Sequence, residues 1–201
     1  MTRRMLVTVL LLVGFLSGPA VARECDNFRG AGILPYAFDD SGRALVLLGY
    51  GPGRGWGGFG GGPKRVITLQ PPAERCETRF ETAARETVEE SRQLLSRAQL
   101  AAALENAPRY PLDPKAGQFQ TFIVRVDFID VAAFYRNATL SGREYGYQEM
   151  SEIAWVALDA LVDHVADGKP LPTPNEAGLW PVFATGFIEA LGDQGRADLF
   201  P

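Results

Sequence analysis

One histidine and two cysteines are all that this chain of 201 residues offers a soft-metal site. His164, Cys25 and Cys76 do not make up the ligand set that a structural zinc centre needs. A Ser-His-Asp or Cys-His mechanism would have to run through His164, and the chain has no G-x-S-x-G elbow. It also lacks a Walker A lysine. Basic charge is in deficit: 20 Lys and Arg stand against 24 Asp and Glu, a formal net charge of −4. That argues against a non-specific nucleic-acid binder, which carries a basic surface. The N-terminal apolar run, Met5 to Leu16, has 12 residues, and a membrane-crossing helix takes about 20. What remains is ordinary globular usage, 46% hydrophobic and 22% charged. Demanding chemistry in such a chain rests on carboxylates.

The first residues have the layout of a secretory signal peptide. Arg3 and Arg4 give a positive start, Met5 to Leu16 is the apolar stretch, and Ser17-Gly18-Pro19 breaks it. Ala20-Val21-Ala22 then supplies an A-x-A cleavage site. The expectation is cleavage after Ala22, leaving one domain over 23–201 with no stable membrane anchor, in the periplasm or outside the cell. The removed segment holds two arginines and no acid, so the net charge moves from −4 to −6. Disulfides persist in such compartments. Both cysteines survive cleavage, and a Cys25–Cys76 bond is expected.

Gly32 to Phe38 and Arg43 to Tyr50 are apolar runs around Asp39-Asp40-Ser41-Gly42, a strand, turn, strand signal. Ala44 to Leu48 shows no alternation, as in a strand buried on both faces. Gly51 to Gly62 holds eight of the 22 glycines. It is not helix interior, and it lets backbone approach something closely. A short strand is predicted at Val66–Leu69, and further strands at Phe119–Phe128 and Ile153–Val156. Helices are predicted at Arg79–Leu95, Gln99–Glu105, Leu158–Val165 and Leu179–Leu191, with Pro170, Pro172 and Pro174 in the loop before the last. No repeat or linker divides the chain, so the expectation is a single mixed α/β domain.

The helix from Arg79 carries the chemistry. Thr78-Arg79-Phe80-Glu81 is a capping box that starts it. Phe80, Ala84, Thr87, Val88, Ser91, Leu94 and Leu95 fall on one side, which faces the core. Glu86, Glu89 and Glu90 stand nearly opposite, at i, i+3 and i+4. Like charges at that spacing destabilise a helix. They either form a solvated acidic face or offer hard oxygen ligands to Mg2+ or a similar cation.

Glu77, seven residues, then Arg85-Glu86-Thr87-Val88-Glu89-Glu90 resembles the core of the Nudix box, G-x5-E-x7-R-E-U-x-E-E-x-G-U with U aliphatic. Ala83-Ala84, the earlier Trp56 and Phe59-Gly60-Gly61, and the later Glu152 to Leu158 also resemble that family, so the likeness runs over roughly 30–190. The chain departs from the box in places. From Gly62 to Glu77, 14 residues intervene where the family has five. Arg92 stands at the second box glycine, Gln93 at the last aliphatic position and Thr87 at another. With no glycine to stop it, the helix is expected to run on to Leu95.

The resemblance implies an α/β/α sandwich with a mixed sheet, and divalent-metal-dependent cleavage of a diphosphate bond in a nucleoside diphosphate linked to another group. It implies Mg2+ or Mn2+ held by Glu86, Glu89, Glu90 and Glu77, with Arg85 orienting a box glutamate, Glu77 foremost. The general base varies in the family; Glu144, Glu149 and Glu152 are available, with Glu149 preferred. The implied partner is a small nucleoside diphosphate derivative and not nucleic acid; oligomeric state is left open. The alternative is a Nudix-fold module that binds a nucleotide or a protein with little or no turnover.

Gly53 to Gly58 matches G-x-G-x-x-G, but no helix follows, so a dinucleotide fold is excluded. Lys64 and Arg65 are phosphate contacts or plain loop charges. Trp56, Tyr145 and Tyr147 stack on a base or pack in the core and turns. His164 is a surface residue, and Asn137-Ala138-Thr139 is a glycosylation sequon.

Overall fold

The computed structural model describes Cys25 and residues 28–69, 72–115, 117–137 and 149–201. The signal segment 1–22, Glu144, Tyr145, Tyr147 and the Ala138-Thr139 part of the sequon lie outside the described residues.

The two apolar runs form an antiparallel pair, β1 (Gly30–Phe38) and β2 (Ala44–Gly51). The turn between them is fixed by Asp39, whose carboxylate accepts from the backbone of Ser41 and Arg43, an Asx turn. The glycine-rich stretch supplies two short strands, β3 (Gly55–Gly57) on β2 and β4 (Phe59–Gly61) on the start of β1. The predicted Val66–Leu69 strand is β5 (Arg65–Leu69), and it forms a hairpin with β6 (Pro72–Cys76) apart from the main sheet. A two-residue strand, β7 (Arg109–Tyr110), pairs with β8 (Phe119–Arg125), and β8 runs parallel to β1. Finally β9 (Glu152–Ala157) lies on β2. The main sheet is therefore mixed, in the order β3-β2-β1-β8-β7, with β4 beside β1 and β9 beside β2.

Alternation along β1 sends side chains to two layers of helix. Leu34 and Tyr36 join Val46, Leu48 and Ile123 in packing on α4 (Leu158–Asp167), α5 (Pro181–Gln194) and α6 (Arg196–Leu199). Ala31 and Ile33 join Phe122 and Val124 against α1 (Arg79–Glu90) and α2 (Arg97–Leu104). On that same side α3 (Val131–Arg136) brings Phe134 to Leu47, Phe59, Met150 and Ile153. Ala44 to Leu48 are all buried, as expected of a strand covered on both faces. The architecture is the expected three-layer α/β/α sandwich around a mixed sheet.

Two differences from the sequence expectation bear on the site. First, α1 ends at Glu90, not Leu95. The Arg92 N–H donates to Glu89 O at 3.0 Å and the Gln93 N–H to Val88 O at 2.8 Å. This is a Schellman ending, with Arg92 at φ 53° and Gln93 at φ 62°. An arginine holds the left-handed place that glycine usually takes. Second, the long insert before Glu77 is an ordered hairpin. Its last rung lies below β5 and β6, where the Glu77 N–H donates to Lys64 O at 2.9 Å. The insert thus leaves Glu77 beside the chain at Lys64. The Cys25–Cys76 disulfide is present, with Cα atoms 5.6 Å apart, and fastens the hairpin's end to the start of the fold.

Candidate functional site

α1 starts as its capping box requires: Glu81 N–H donates to Thr78 Oγ1, and Thr78 N–H to Glu81 Oε2. The ridge that carries Arg85, Glu86, Glu89 and Glu90 then faces β4 and Gly62. The acidic side is therefore not a solvated face. Glu86 and Glu90 are buried, and Glu90 has no exposed surface. Glycine makes this approach feasible. A Cβ on Gly61 would lie 2.5 Å from Glu86 Oε1, and one on Gly60 would lie 2.6 Å from Gly32 Cα. By contrast Phe80, placed on the core side by periodicity, is 41% exposed, with its ring against Phe122.

Arg85 is the knot of the site. Its Nε and Nη2 donate to the two oxygens of Glu77 at 2.8 and 2.9 Å. Nη2 also reaches Gly62 O at 2.8 Å, and Nη1 reaches Glu86 Oε1 at 2.7 Å and Glu89 Oε2 at 3.1 Å. Glu77 accepts further from the Lys64 N–H and from Thr82 Oγ1. Burial alone would push the Glu77 carboxyl up; the Arg85 fork, the Lys64 amide and Thr82 outweigh it and hold it below its ordinary value. Desolvation works against the Arg85 charge as well, but Glu77 and Glu86 hold the proton on more firmly than in water. Both oxygens of Glu77 are spoken for by this lock. The expected Arg85–Glu77 contact is present.

Glu90 has the opposite environment. Its Oε2 accepts from the Gly60 N–H at 2.6 Å, and its buried Oε1 has no hydrogen-bond partner among the described residues. Burial raises its pKa well above the usual carboxylate value; the Gly60 amide opposes the rise, and the charges of Glu86 and Glu149 add to it. Burial also raises Glu86, against the pull of Arg85 and Lys64. Glu89 lies toward the rim, where Lys64 Nζ approaches it at 3.3 Å. Glu149 is held by Arg54 Nη2 at 3.1 Å. Five carboxylates (Glu77, Glu86, Glu89, Glu90, Glu149) thus share this region with three cations (Arg85, Lys64, Arg54). Fully ionised, five against three leaves two negative charges, which one divalent cation would balance.

The donor chemistry, though not the arrangement of the side chains, suits such a cation. An unpaired carboxylate oxygen in a buried place is costly, and carboxylate oxygens are what Mg2+ and Mn2+ accept. Among the described residues no three acidic side chains already converge as a ready cage. Glu86 and Glu89 are drawn instead to Arg85.

The other expected residues divide plainly. Glu152 sits at the start of β9 and accepts from Asn175, whose own amide oxygen accepts from Trp56 Nε1. Trp56 is fully buried against Tyr50, so it is a core residue. Arg65 pairs with Glu74 across the hairpin. His164 is half-buried near the end of α4, with Nδ1 2.6 Å from Lys169 O. Thr82, Arg54 and the Lys64 amide belong to the site and were missed. Only the glycine run foretold that backbone would come close.

On the other face of the sheet, a mostly apolar cavity of about 440 Å³ opens beside Gly58 to Gly60. Phe119, Tyr110, Trp180 and Phe183 are among the residues that line it. Tyr110 points its hydroxyl at Glu189 and Asp193; partial burial and these two acids push its pKa up to about 12. Gly60 is common to this cavity and to the Glu90 contact.

No family model matches the chain. None of the curated proteins matches it. Solved structures do. It is similar to a C. elegans Ap4A hydrolase, at 16% identity over 67% of this chain and 83% of that one, with a TM-score of 0.38. It is similar to a Nudix hydrolase from M. smegmatis, RenU, at 19% identity over 89% and 94%, with a TM-score of 0.42. A third is a bifunctional NMN adenylyltransferase/ADP ribose pyrophosphatase from Francisella tularensis, complexed with AMP and Mn ion. It matches at 13% identity over 87% of this chain and 43% of that chain, with a TM-score of 0.44.

Proposed function

We propose that this chain is an exported Nudix-type hydrolase that cleaves the diphosphate bond of a nucleoside diphosphate joined to another group, with Mg2+ or Mn2+. The carrying observation is the two-charge excess of carboxylate around α1, five against three, with Glu90 Oε1 left without a partner among the described residues. Glu86, Glu89 and Glu90 would hold the metal. When bound, it supplies positive charge to phosphate oxygens and acidifies a water. Glu77 is better suited to locking Arg85 than to ligation, because its oxygens already accept four hydrogen bonds from Arg85, Lys64 and Thr82. Arg85 in turn holds Glu86 and Glu89 by charge-assisted bonds. Glu149, beside Glu90 and steadied by Arg54, takes the proton of the attacking water. The water oxygen bonds to one phosphorus, the P–O–P bridge breaks, and two phosphate monoesters leave. The cavity beside Gly60, apolar and aromatic, suits the base and sugar of such a substrate.

The draw of Glu86 and Glu89 toward Arg85 favours the second reading, a module that binds a nucleotide or protein without turnover. A screen of purified 23–201 over nucleoside diphosphate derivatives separates the two. Released monoesters are converted to phosphate by an added phosphomonoesterase, with and without Mg2+ or Mn2+. Metal-dependent phosphate release supports the hydrolase. Its absence across the screen, with nucleotide still raising the melting temperature, supports the module.

A further inference from the structure

Arg92 is a strained residue next to the site, and its side chain is engaged on several sides. Its backbone sits at φ 53°, a conformation glycine takes freely and an L side chain resists. A chain kept in such a state by its surroundings invites a functional explanation. The side chain supplies one. Nη2 donates to Met150 O at 3.0 Å and Nη1 to Phe134 O at 3.3 Å. The guanidinium also lies 3.8 Å from the centroid of the Phe134 ring. Arg92 O accepts from Asn137 Nδ2 at 3.0 Å. One residue at the end of the acidic helix therefore fastens the end of α3 and the residue that follows Glu149.

We infer that Arg92 is a positioning residue: its guanidinium, held against Phe134 and Met150, sets Glu149 at its place beside Glu90. The inference rests on the role proposed for Glu149. A planar fork can bridge two carbonyls from one stem, which an ammonium does poorly. The neighbouring rung, in which Ser151 N–H donates to Tyr50 O at 2.9 Å, fixes the chain on the β2 side only. Arg54 holds the Glu149 carboxylate, and the restraint on the backbone from the α3 side comes from Arg92. A glycine at this position would relax the backbone and lose the clamp, so the strain is tolerated where the side chain is useful.

Arg92→Gly and Arg92→Lys test this. Arg92→Gly should fold, with a melting temperature within about 5 °C of wild type, because relief of the left-handed backbone offsets lost contacts. Its kcat should fall about 10-fold or more with KM within about twofold, the pattern of a misplaced group and not of lost substrate binding. Methylguanidinium in the buffer should restore part of that kcat, and methylammonium should not. Arg92→Lys should fall between the two. Amide hydrogen exchange gives a readout independent of turnover: protection at 134–137 and 150–152 should drop in Arg92→Gly, with β1 and β8 unchanged. Wild-type kcat in Arg92→Gly, or unchanged exchange at both places, overturns the inference. If Arg92→Gly fails to fold, Arg92→Lys decides on the same readouts. If wild type hydrolyses no diphosphate, the functional reading falls and the exchange arm alone judges the clamp.

Discussion

Glu90 stabilises nothing by being charged in the metal-free fold. Its Oε1 is buried without a hydrogen-bond partner among the described residues, and Glu86 and Glu149 repel it. Its folded pKa lies above its unfolded value, so the stability that Glu90 itself contributes without metal is present when it is protonated, below its unfolded pKa, and is lost as pH rises through the raised pKa. Glu90→Gln keeps the acceptor for Gly60 and removes that loss. The metal-free variant should melt at or above wild type, and its advantage should grow from pH 5 toward pH 8. Turnover should move the other way, falling at least ~100-fold in kcat/KM, or roughly 2.7 kcal/mol, and the Mg2+-induced rise in melting temperature should shrink. Equal rates and metal dependence in both proteins would remove this helix from the chemistry. Arg85 presents the converse case. Arg85→Met strands Glu77 in a buried place, which costs about 3 kcal/mol or more. Urea unfolding checks it, and a loss under about 1 kcal/mol would show the knot to be dispensable. The spacing of Glu77, Arg85, Glu86, Glu89 and Glu90 made these residues legible in sequence. Their burial was not, because helical periodicity gives direction and not what lies opposite; here the covering strand meets them with Gly60 and Gly61, which carry no hydrophobic signature.

Elements were legible where one pattern decided them and obscure where a tertiary partner did. The β1–β2 pair, α4 and the capped start of α1 follow from apolar runs, turn chemistry and a capping box. The end of α1 does not, since an arginine at left-handed φ is selected by Phe134 and Met150, far along the chain. β6 was missed because Pro72-Ala73-Glu74-Arg75-Cys76 has no strand character of its own and is paired by β5. This hairpin is joined to α1 by a fork from Arg75 to the two oxygens of Glu81, at 2.6 and 2.7 Å. With the capping box, the fork takes the Glu81 pKa from 4.5 down to about 2. A lowered folded pKa means stability that is present above about pH 4.5 and lost as pH falls toward 2. Glu81→Gln keeps the hydrogen bond to Thr78 and drops the charge. Wild type should exceed it at pH 7 by under about 1 kcal/mol, since the pair is partly exposed. That margin should narrow in thermal melts below pH 4.5. A margin constant down to pH 2.5 would show that the ion pair contributes nothing.

At the scale of the whole molecule, export and the disulfide form one argument. The Cys25–Cys76 bond closes a loop of 51 residues and holds the segment before β1 to the residue just before Glu77. In the chain-entropy account, closing such a loop stabilises the fold by roughly 4 kcal/mol, through the unfolded state. The bond spans the glycine-rich strands and the hairpin, the parts with the most backbone freedom to lose. It forms only where thiols are oxidised, the condition that cleavage after Ala22 would provide. Protein recovered from its native host should therefore begin at Arg23 and carry no thiol open to alkylation until reduced; intact mass measures both. Reduction should lower the urea midpoint, and Cys25→Ser with Cys76→Ser should reproduce the loss without reductant. The Arg85–Glu77 lock should loosen in step, because Glu77 follows Cys76 directly, so exchange at Thr82 and Arg85 should quicken in the reduced protein. A chain that keeps residue 1, or one whose urea midpoint ignores reduction, would separate the disulfide from export and leave the fold to its core alone.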